Sequence, residues 1–536
     1  EIFSFKILER ANKLTISQSD KEHVTNYFLR TDQIKKGNYS QKKDYSNMRI
    51  TLDTQYDFEL IRKIFNNFKN FDFALEDIIK FYIKNKSMFE KYKRLSDNIN
   101  QRKKNKGQIM WNLAKEYIAG GNMLFSKRPD AFLPNQWPSY FQKAKGCQIW
   151  DLDNKKFYDT CIMGIGTSIL GYANSTIDKT VKKRLEHGNM STLNCQEEVK
   201  LAKKLVDIHD WADQVRFART GGEANAIAVR LARAYTNKTK IAFCGYHGWH
   251  DWYLAANLKN NKNLNNHLLP GLKTSGVYKN LNESIYPFNY NDLDRLKFLI
   301  KKYKDIGIIK MEVVRNELPK NNFLKKVRKL ANENNLILIF DECTSGFREC
   351  FGGIHKKFKV NPDMLMLGKA LGNGYAITAV LGKKDIMQSI KNTFISSTFW
   401  TESVGPTAAL KTLELMNKKK SWIYISKLGK YIKKRWEKLA KKHKLKIKIQ
   451  GIDALCSFVF KSKYHQAYKT YITQEMLKKG FLATNTIYVS TAHTKKIIDI
   501  YFKNLNEIFS IISICEKGDD IHRYLETKVS ETDFAR

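Results

Sequence analysis

Two short runs of consecutive apolar residues constrain the fold of this chain most strongly. Residues 336–340 (LILIF) lead directly to Asp341, and residues 364–367 (MLML) lead through one glycine to Lys369. The runs are too short for free-standing helices and too uniformly apolar for strands with one face in water. They therefore predict strands buried on both faces, as in parallel sheets covered by helices, and hence an α/β fold.

The chain of 536 residues shows four zones of composition, and its length predicts roughly two to four domains. Residues 1–92 alternate helical patterns with a short strand-like run at 48–53, and residues 93–110 are polar and basic, typical of a linker. From 111 to 515, glycines separate apolar runs from helical patterns, which predicts a mostly parallel sheet. Residues 516–536 form a C-terminal tail.

Composition excludes some classes of protein. Apolar residues make up 43% of the chain and aromatic residues 12%, which excludes a wholly disordered protein. No stretch is apolar for long enough to predict a membrane-spanning helix, so no membrane partner is expected. The chain begins with Glu1 rather than Met and lacks a signal segment, so we expect either a processed chain or a fragment, and we favour a fragment of a longer protein.

The chain is strongly basic. Lys and Arg total 94 against 53 Asp and Glu, which gives 94 − 53 = +41. Such a charge is compatible with nucleic-acid binding or an anionic membrane surface. The cations, however, are spread along the whole chain, which is typical of solvated faces. We expect modest attraction of anionic substrates and no specific nucleic acid, with a basic nucleic-acid-binding protein as a remote alternative.

The eight cysteines form no C-x-x-C pair, so neither a disulfide framework nor a zinc site is predicted. A reducing, cytoplasmic location is the expectation that follows. His247 and His250 are three residues apart, but no further ligand cluster accompanies them, so no metal is expected there.

The clearest local signal is the start of a helix at Thr220. Thr220 and Glu223 stand at capping-box spacing, and residues 224–235 carry one apolar stripe. Gly221 and Gly222 leave the first amide N–H groups uncovered, where the helix dipole favours an anion. A phosphate site is the functional interpretation. An ordinary capped helix whose glycines permit close packing is the alternative, and this segment alone leaves both open.

Two charged residues follow the buried strands, at the edge where ligands gather in open α/β sheets. Asp341 should be partly desolvated and needs a cation, which a ligand's protonated ring nitrogen, Arg348 or a helix start would supply. Its neighbour Glu342 should point the other way and be structural. Lys369 precedes a glycine-rich turn, where desolvation would make it an amine nucleophile able to form a Schiff base. A lysine that extends into solvent is the alternative.

A third apolar run, 241–243, leads into residues 244–251 (CGYHGWHD). Here Tyr246 and His247 stand between two glycines, which suits an aromatic ring and an imidazole that lie flat on a planar ligand.

Together these segments resemble the class III pyridoxal-phosphate aminotransferases, especially the glutamate-1-semialdehyde aminomutase branch. The resemblance covers roughly residues 111–515 and rests on motifs in the family's order. They are KEYIAGGN (115–122), KGCQIWDLDNKKFYD (145–159), RTGGEANAIAVRLARA (219–234), GYHGWHD (245–251), FDE (340–342), GKALGNGY (368–375) and STFW (397–400). The resemblance implies fold type I of the pyridoxal-phosphate enzymes, with a large domain on a mostly parallel seven-stranded sheet and a small α+β domain.

The resemblance also implies roles for individual residues. Lys369 matches the lysine that forms a Schiff base with pyridoxal 5′-phosphate, and Asp341 matches the acid that keeps the pyridine nitrogen protonated. Thr220, Gly221 and Gly222 match a phosphate loop that is usually Ser-Gly-Thr in the family, so a side-chain hydroxyl is lost at Gly222.

Three further positions are implied in the same way. Tyr246, with His247, matches the residue that stacks over the cofactor ring, and Glu312, after the run 306–311, matches a glutamate near the cofactor. Thr398 matches a threonine that reaches the phosphate of the neighbouring subunit's cofactor. That last match implies a homodimer with shared active sites.

The implied activity is a ping-pong transfer of an amino group from a small-molecule donor to a keto or aldehyde acceptor. The alternative is an aminomutase, in which the amine migrates within one substrate. Departures from the family at Gly222 and at residues 399–402 leave the substrate open, and a sugar-like or keto-acid partner is equally compatible.

Residues 1–92 resemble the C-terminal end of cytidylyltransferases that activate acidic sugars or act in spore-coat polysaccharide synthesis. The resemblance rests on SDKEHVT (19–25), RITLDT (49–54) and DFEL (57–60). It implies a partial α/β nucleotidyltransferase segment in which Asp53 matches an acid that helps to hold Mg²⁺. That family's nucleotide loop and second metal acid are absent from this chain, so Asp53 is a candidate in an incomplete site, and a small helical module in which Asp53 is structural is the alternative. Together the two halves imply surface-polysaccharide or nucleotide-sugar synthesis.

Overall fold

The computed structural model describes residues 3–14, 27–28, 31, 35, 37, 44–45, 48, 50–52, 55–68, 72–93, 105–267, 270–314 and 316–531. The chain divides into two compact units. One comprises residues 1–142 with 151–155, and the other comprises residues 143–150 with 156–536. Asp53 and the segment 19–25 lie outside the described residues. The four-part domain division given above stays a prediction.

The described part of the first unit is mainly helical. Its helices include α1 (Phe5–Leu14), α2 (Gln55–Asn67), α3 (Leu75–Lys84) and α4 (Lys106–Tyr117). A small apolar cluster centres on Leu60, Ile64 and Phe89. The described residues of the strand-like run, Met48 and 50–52, carry no strand, and Ile50 and Leu52 are exposed. An alternating pattern makes a strand only where a neighbouring strand pairs with it, and these described residues have no such pairing.

The described strands form three sheets and are numbered in chain order. They are β1 (Phe141–Lys145), β2 (Gln148–Asp151), β3 (Lys156–Thr160), β4 (Gln214–Ala218), β5 (Lys240–Cys244), β6 (Ile285–Pro287), β7 (Ile306–Glu312), β8 (Ile337–Glu342), β9 (Met364–Leu367), β10 (Thr378–Gly382), β11 (Ile447–Gln450), β12 (Leu455–Phe460), β13 (Phe481–Ala483) and β14 (Thr486–Tyr488).

The helices of the second unit cover these sheets. They are α5 (Met163–Gly166), α6 (Ser175–Leu185), α7 (Gln196–Ile208), α8 (Gly221–Thr236), α9 (Asp251–Leu254), α10 (Ala256–Lys259), α11 (Leu293–Lys302), α12 (Phe323–Glu333), α13 (His355–Phe358), α14 (Lys384–Gln388), α15 (Val404–Lys419), α16 (Ser421–Lys442), α17 (His465–Lys478) and α18 (Lys495–Cys515). Among the described residues, no helix combines the length and the apolar character needed to cross a bilayer.

The largest sheet has seven strands in the order β4-β10-β9-β8-β7-β5-β6. Strand β10 is antiparallel to both of its neighbours, whereas β6, β5, β7, β8 and β9 pair in parallel. The prediction of a mostly parallel seven-stranded sheet is therefore confirmed.

The central strands are buried on both faces, as the apolar runs predict. Every residue of β7, β8 and β9 is buried. Successive side chains alternate between two separate cores, so that Leu338 and Phe340 join one core while Ile337 and Ile339 join the other. Full burial of each such side chain contributes roughly 1.5–3 kcal/mol, and this burial fixes the register that the site depends on.

The two smaller sheets form an α+β part from both ends of the second unit. Strands β1, β2, β3 and β13 make a four-stranded sheet, and β11, β12 and β14 make a three-stranded sheet. Strand β13, late in the chain, pairs in parallel with β3, so Phe481 lies opposite Tyr158. This pairing joins distant parts of the sequence, as expected for the small domain of fold type I.

Candidate active site

The predicted site residues meet at one edge of the seven-stranded sheet. Parallel strands end at the same edge, and the turns after β4, β5, β8 and β9 carry most of the candidates. Because β10 runs in the opposite direction, it begins at this edge, and Thr378 Oγ1 donates a hydrogen bond to Thr220 O at 3.2 Å. The candidates that the sheet brings to this edge are Thr220, Gly221, Gly222, Tyr246, His247, Glu312, Asp341 and Lys369.

Helix α8 begins as the capping-box spacing predicts. Thr220 Oγ1 accepts a hydrogen bond from Glu223 N at 3.3 Å, and Glu223 Oε2 accepts one from Thr220 N at 2.7 Å. Partial burial opposes ionisation of Glu223, but hydrogen bonds from the backbone of Thr220 and Arg219 hold its pKa below the ordinary value. The reciprocal bonds fix the first turn of α8 at the sheet edge.

The two glycines of this turn differ in their surroundings. A β-carbon added to Gly221 would lie 3.8 Å from Cys343 Sγ, an ordinary contact. A β-carbon added to Gly222 would lie 2.6 Å from His250 Cε1, which is too close. Close packing therefore explains Gly222, while the space at Gly221 agrees with a ligand-binding turn.

Asp341 is the buried acid at the centre of the site. Its Oδ2 lies 3.0 Å from His247 Nδ1, and its Oδ1 accepts a hydrogen bond from Cys343 N at 3.1 Å. Burial acts to raise the pKa of Asp341, but the hydrogen bond from His247 and the charge of Lys310 hold it well below the ordinary range. The carboxylate is therefore ionised, as a partner for a protonated ring nitrogen must be.

His247 occupies the space beside Asp341. It is fully buried, and burial lowers its pKa despite the opposing effect of the hydrogen bond to Asp341. Arg348, named above as a possible cation for Asp341, instead donates hydrogen bonds to the carbonyl oxygens of Thr344 and Gly166. Glu342 points away from the site, as expected, and its Oε1 lies 2.6 Å from His355 Nδ1.

Lys310 is a site residue that the sequence analysis missed, because it lies inside the run 306–311 that was treated as apolar. It is 0% exposed and lies on the same face of β7 as Glu312. Its Nζ lies 3.5 Å from Met366 Sδ, and burial lowers its pKa to about 8. A lysine inside an otherwise apolar strand was the signal that could have revealed it.

Lys369 follows β9 and is half-buried rather than fully enclosed. Its φ of +43° is in the left-handed region, and non-glycine residues in this region are common at functional sites. Its Nζ donates a hydrogen bond to Thr344 Oγ1 at 2.8 Å. The amine is therefore held beside the strand that carries Asp341.

Cys343 was treated above only as one of the cysteines, and it also lies in the site. Its Sγ would lie 3.4 Å from a β-carbon on Gly368 and 3.8 Å from one on Gly221. Burial and the charge of Asp341 raise its pKa well above the ordinary value, so the group is a neutral thiol. All eight cysteines of the chain are free thiols.

Glu312 holds the turn that carries Tyr246. Its Oε2 accepts a hydrogen bond from Tyr246 N at 3.0 Å. Gly245 has a φ of +107°, and a β-carbon there would lie 2.7 Å from Glu312 Oε2. Tyr253 adds a hydrogen bond from its hydroxyl to Gly245 O at 3.0 Å. These contacts fix the backbone of Gly245 and Tyr246 at the sheet edge.

Thr398 is exposed and begins the short turn Thr398–Thr401. The adjoining residues tie this turn to the start of α8. Arg219 Nη2 donates hydrogen bonds to Trp400 O and Glu402 O, both at 2.9 Å, and Trp400 Nε1 donates to Glu223 Oε1 at 3.2 Å. The segment of Thr398 is thus fixed next to the candidate phosphate loop.

The groups at this edge fit one kind of ligand. A buried carboxylate suits a protonated ring nitrogen, an amine suits an aldehyde, and a bare helix start suits a phosphate. Pyridoxal 5′-phosphate carries these three groups on one ring. Asp341, Lys369 and the turn at Gly221 therefore fit that cofactor.

Comparison with known proteins agrees with this fit. The family "Aminotransferase class-III" matches residues 134–509. The chain belongs to the class III aminotransferases. It is 34% identical over 370 residues to a 3-aminobutyryl-CoA aminotransferase of Cloacimonas acidaminovorans, covering 67% of this chain and 85% of that protein. It is 33% identical over 403 residues to a glutamate-1-semialdehyde 2,1-aminomutase of Nitrosopumilus maritimus, covering 69% and 93%.

Solved structures share the fold of this aminotransferase. The FumI protein of Sphingopyxis sp. MTA144, in a form that contains PLP, superposes with a TM-score of 0.69 at 23% identity, covering 78% of this chain and 99% of that chain. The prediction of fold type I is thereby confirmed. The chain is a class III aminotransferase whose cofactor is pyridoxal 5′-phosphate.

The charge of Asp341 should control activity. We expect Asp341→Asn to lower kcat/KM for an accepted amine by roughly 10²–10³-fold, since it removes the anion that faces the ring nitrogen. The control is Glu342→Gln, which changes the adjacent buried acid on the opposite face. The Glu342→Gln variant should have a lower melting temperature, whereas kcat/KM of the folded variant should stay close to that of the wild type. Equal losses of activity in the two variants would contradict the assignment.

Burial of Lys310 should appear in the pH dependence of stability. Its pKa falls from an ordinary 10.5 to about 8 in the folded protein, so between these values the unfolded state binds more protons. The cost of burying the charge is complete below about pH 8 and is relieved as the pH rises towards 10.5. In cofactor-free protein, the melting temperature of the wild type should therefore rise relative to that of Lys310→Met as the pH increases over this interval.

The matched control for that experiment is Lys384→Met, which removes an exposed lysine. Its melting temperature should follow the wild type at constant offset. A constant offset for Lys310→Met as well would show that Lys310 is not titrating between the two states.

Proposed function

We propose that Lys369 and Asp341 are the catalytic residues of an amino-group transfer between a small amine and a keto or aldehyde acceptor. The observation that carries this proposal is their placement after two adjacent strands. Asp341 lies opposite Met366 in the parallel pair β8–β9, and Lys369 follows that second strand after a single residue, Gly368. The acid and the amine therefore meet one ligand from neighbouring positions on the sheet edge.

In this proposal Lys369 handles the proton. With the cofactor bound and a substrate amine in its place, the freed Lys369 amine would take a proton from the substrate carbon and deliver it to the cofactor carbon, and the reverse transfer would serve the acceptor. Thr344 Oγ1, 2.8 Å from Lys369 Nζ, orients the amine for this step. The cofactor, when bound, supplies a ring that accepts the electron pair left on the substrate carbon. Asp341 keeps the ring nitrogen protonated.

Tyr246 and the helix start complete the proposed cofactor site. We propose that Tyr246 stacks on the ring, that the amides at Gly221 and Gly222 bind the phosphate, and that Thr220 and Glu312 hold these turns in place. His247 contacts Asp341 through its Nδ1 at 3.0 Å. In this proposal it holds the carboxylate in place and does not stack on the cofactor ring.

The substrate pair is proposed at the level of chemical class. One relative named above is an aminotransferase and the other is an aminomutase. We prefer the aminotransferase activity for this chain, and the aminomutase activity is the alternative. The formal charge of +41 supports an anionic substrate by long-range attraction. A role in surface-polysaccharide or nucleotide-sugar synthesis rests only on the N-terminal resemblance, in which Asp53 belongs to an incomplete Mg²⁺ site.

We also propose a homodimer with shared active sites. Large apolar side chains are exposed in the turn after β5 and in the segment around Thr398: Trp249 is 70% exposed, Phe394 85% and Phe399 70%. Large contiguous apolar patches on a surface mark protein interfaces. Phe394 and Phe399 lie in the same segment as Thr398; this segment is tied to the start of α8 in its own chain, and the assignment of Thr398 to the partner's cofactor phosphate rests on the family resemblance. The free thiols support a reducing, cytoplasmic location.

The spectrum of the purified enzyme tests the role of Lys369. We expect a visible absorption band with added cofactor, which borohydride abolishes, because reduction saturates the bond between the amine and the cofactor aldehyde. The Lys369→Ala variant should lack or alter this band, and the exposed-residue control Lys384→Ala should keep it. A colourless wild type that gains no band with cofactor would overturn the proposed function.

Mixed dimers test the shared sites. Lys369→Ala and Thr398→Ala chains should each have weak activity alone. In a co-expressed hybrid, the intact Lys369 of one chain meets the intact Thr398 of the other, so one complete site is restored. We expect activity well above the sum of the two separate variants. If Thr398 served its own chain, every site would lack one group and no recovery would occur.

A further inference from the structure

The imidazole of His250 packs into the first turn of α8. A β-carbon on Gly222 would lie 2.6 Å from His250 Cε1 and 2.7 Å from its Nδ1, so the ring fills the space that a side chain at Gly222 would take. Gly248 permits this approach, since its φ is +97° and a β-carbon there would lie 3.0 Å from Gly222 Cα. Two glycines thus bring an imidazole to the helix start.

One nitrogen of this ring has no hydrogen-bond partner among the described residues. His250 Nδ1 is buried and unbonded, although the rest of the side chain is only half-buried. A buried polar atom that makes no hydrogen bond destabilises the folded protein. Packing alone does not account for such a group, because an apolar ring would fill the same space without that cost.

The ring of His250 is also held in orientation. Trp249 stacks on it with centroids 4.6 Å apart and planes 19° apart. Burial lowers the pKa of His250, although the charges of Glu223 and Asp251 oppose this. A neutral imidazole still has one N–H to donate, and an acceptor at the start of α8 would satisfy it.

We infer that His250 donates a hydrogen bond from Nδ1 to the phosphate of the cofactor at the start of α8. This inference rests on the proposed phosphate position at Gly221 and Gly222. The imidazole stands where a side chain at Gly222 would otherwise reach the phosphate, so His250 replaces a contact that this glycine cannot make. His250 is thus a phosphate-binding residue supplied by the turn after β5.

The test compares two ligands that differ only in the phosphate. Dissociation constants for pyridoxal 5′-phosphate and for pyridoxal are measured on the cofactor-free, full-length chain. A charge-assisted hydrogen bond contributes roughly 1.5–3 kcal/mol, so losing it should weaken binding of the phosphate ester by about 10–100-fold. Binding of pyridoxal should change by less than about twofold, because it has no phosphate for Nδ1 to bind.

Three substitutions separate the hydrogen bond from the packing. His250→Asn keeps a donor at the position of Nδ1 and should retain affinity for the ester within a few-fold. His250→Gln places its amide at the position of Nε2, and His250→Leu has no donor, so both should show the full loss. Gln keeps a polar side chain of similar size, so the test stands even where Leu fails to fold. His465→Asn, an exposed histidine elsewhere, is the matched control.

The outcomes are distinct. Equal loss for both ligands, or no loss in His250→Gln, would overturn the inference, since His250 would then only pack against the helix. A wild type that binds neither ligand would instead overturn the proposed cofactor site, and the inference with it. The predicted result is that His250→Gln and His250→Leu lose affinity for pyridoxal 5′-phosphate alone, while His250→Asn retains it.

Discussion

The ionised carboxylate of Asp341 is the constraint on which the rest of the site depends. A charge at the end of a strand covered on both faces is costly unless cations and N–H donors surround it. His247, Lys310 and the amide of Cys343 do so here. These groups come from the turn after β5, from β7 and from the residues after β8, so the buried sheet must be in register before the acid is stable.

That arrangement explains the positions of the proposed catalytic groups. The register of β7, β8 and β9 places Glu312 opposite Asp341 and Asp341 opposite Met366, and the next turn delivers Lys369. Each functional group then lies at a strand end, where the backbone leaves the sheet and exposes side chains to a ligand. The packed strands below supply rigidity, because a one-residue slip would turn Asp341 to the other face.

Much of this arrangement was predictable from local sequence. The runs 336–340 and 364–367 predicted buried strands because no polar residue interrupts them, and Asp341 and Lys369 stood out as charges directly after them. The capping box at Thr220 was equally local, and the structure confirms it. The partners of these groups were not predictable, because they come from segments distant in the chain. His250 against Gly222 is a contact between two turns. Lys310 was hidden by the apolar residues on both sides.

The central claim is that Lys369 is the amine that joins the cofactor. The most direct measurement is borohydride reduction of the cofactor-loaded wild type, followed by proteolysis and mass spectrometry of the peptides. Our account predicts one dominant modified peptide, with the pyridoxyl group on Lys369. Modification centred on Lys310 or on another lysine, with Lys369 unmodified, would contradict it.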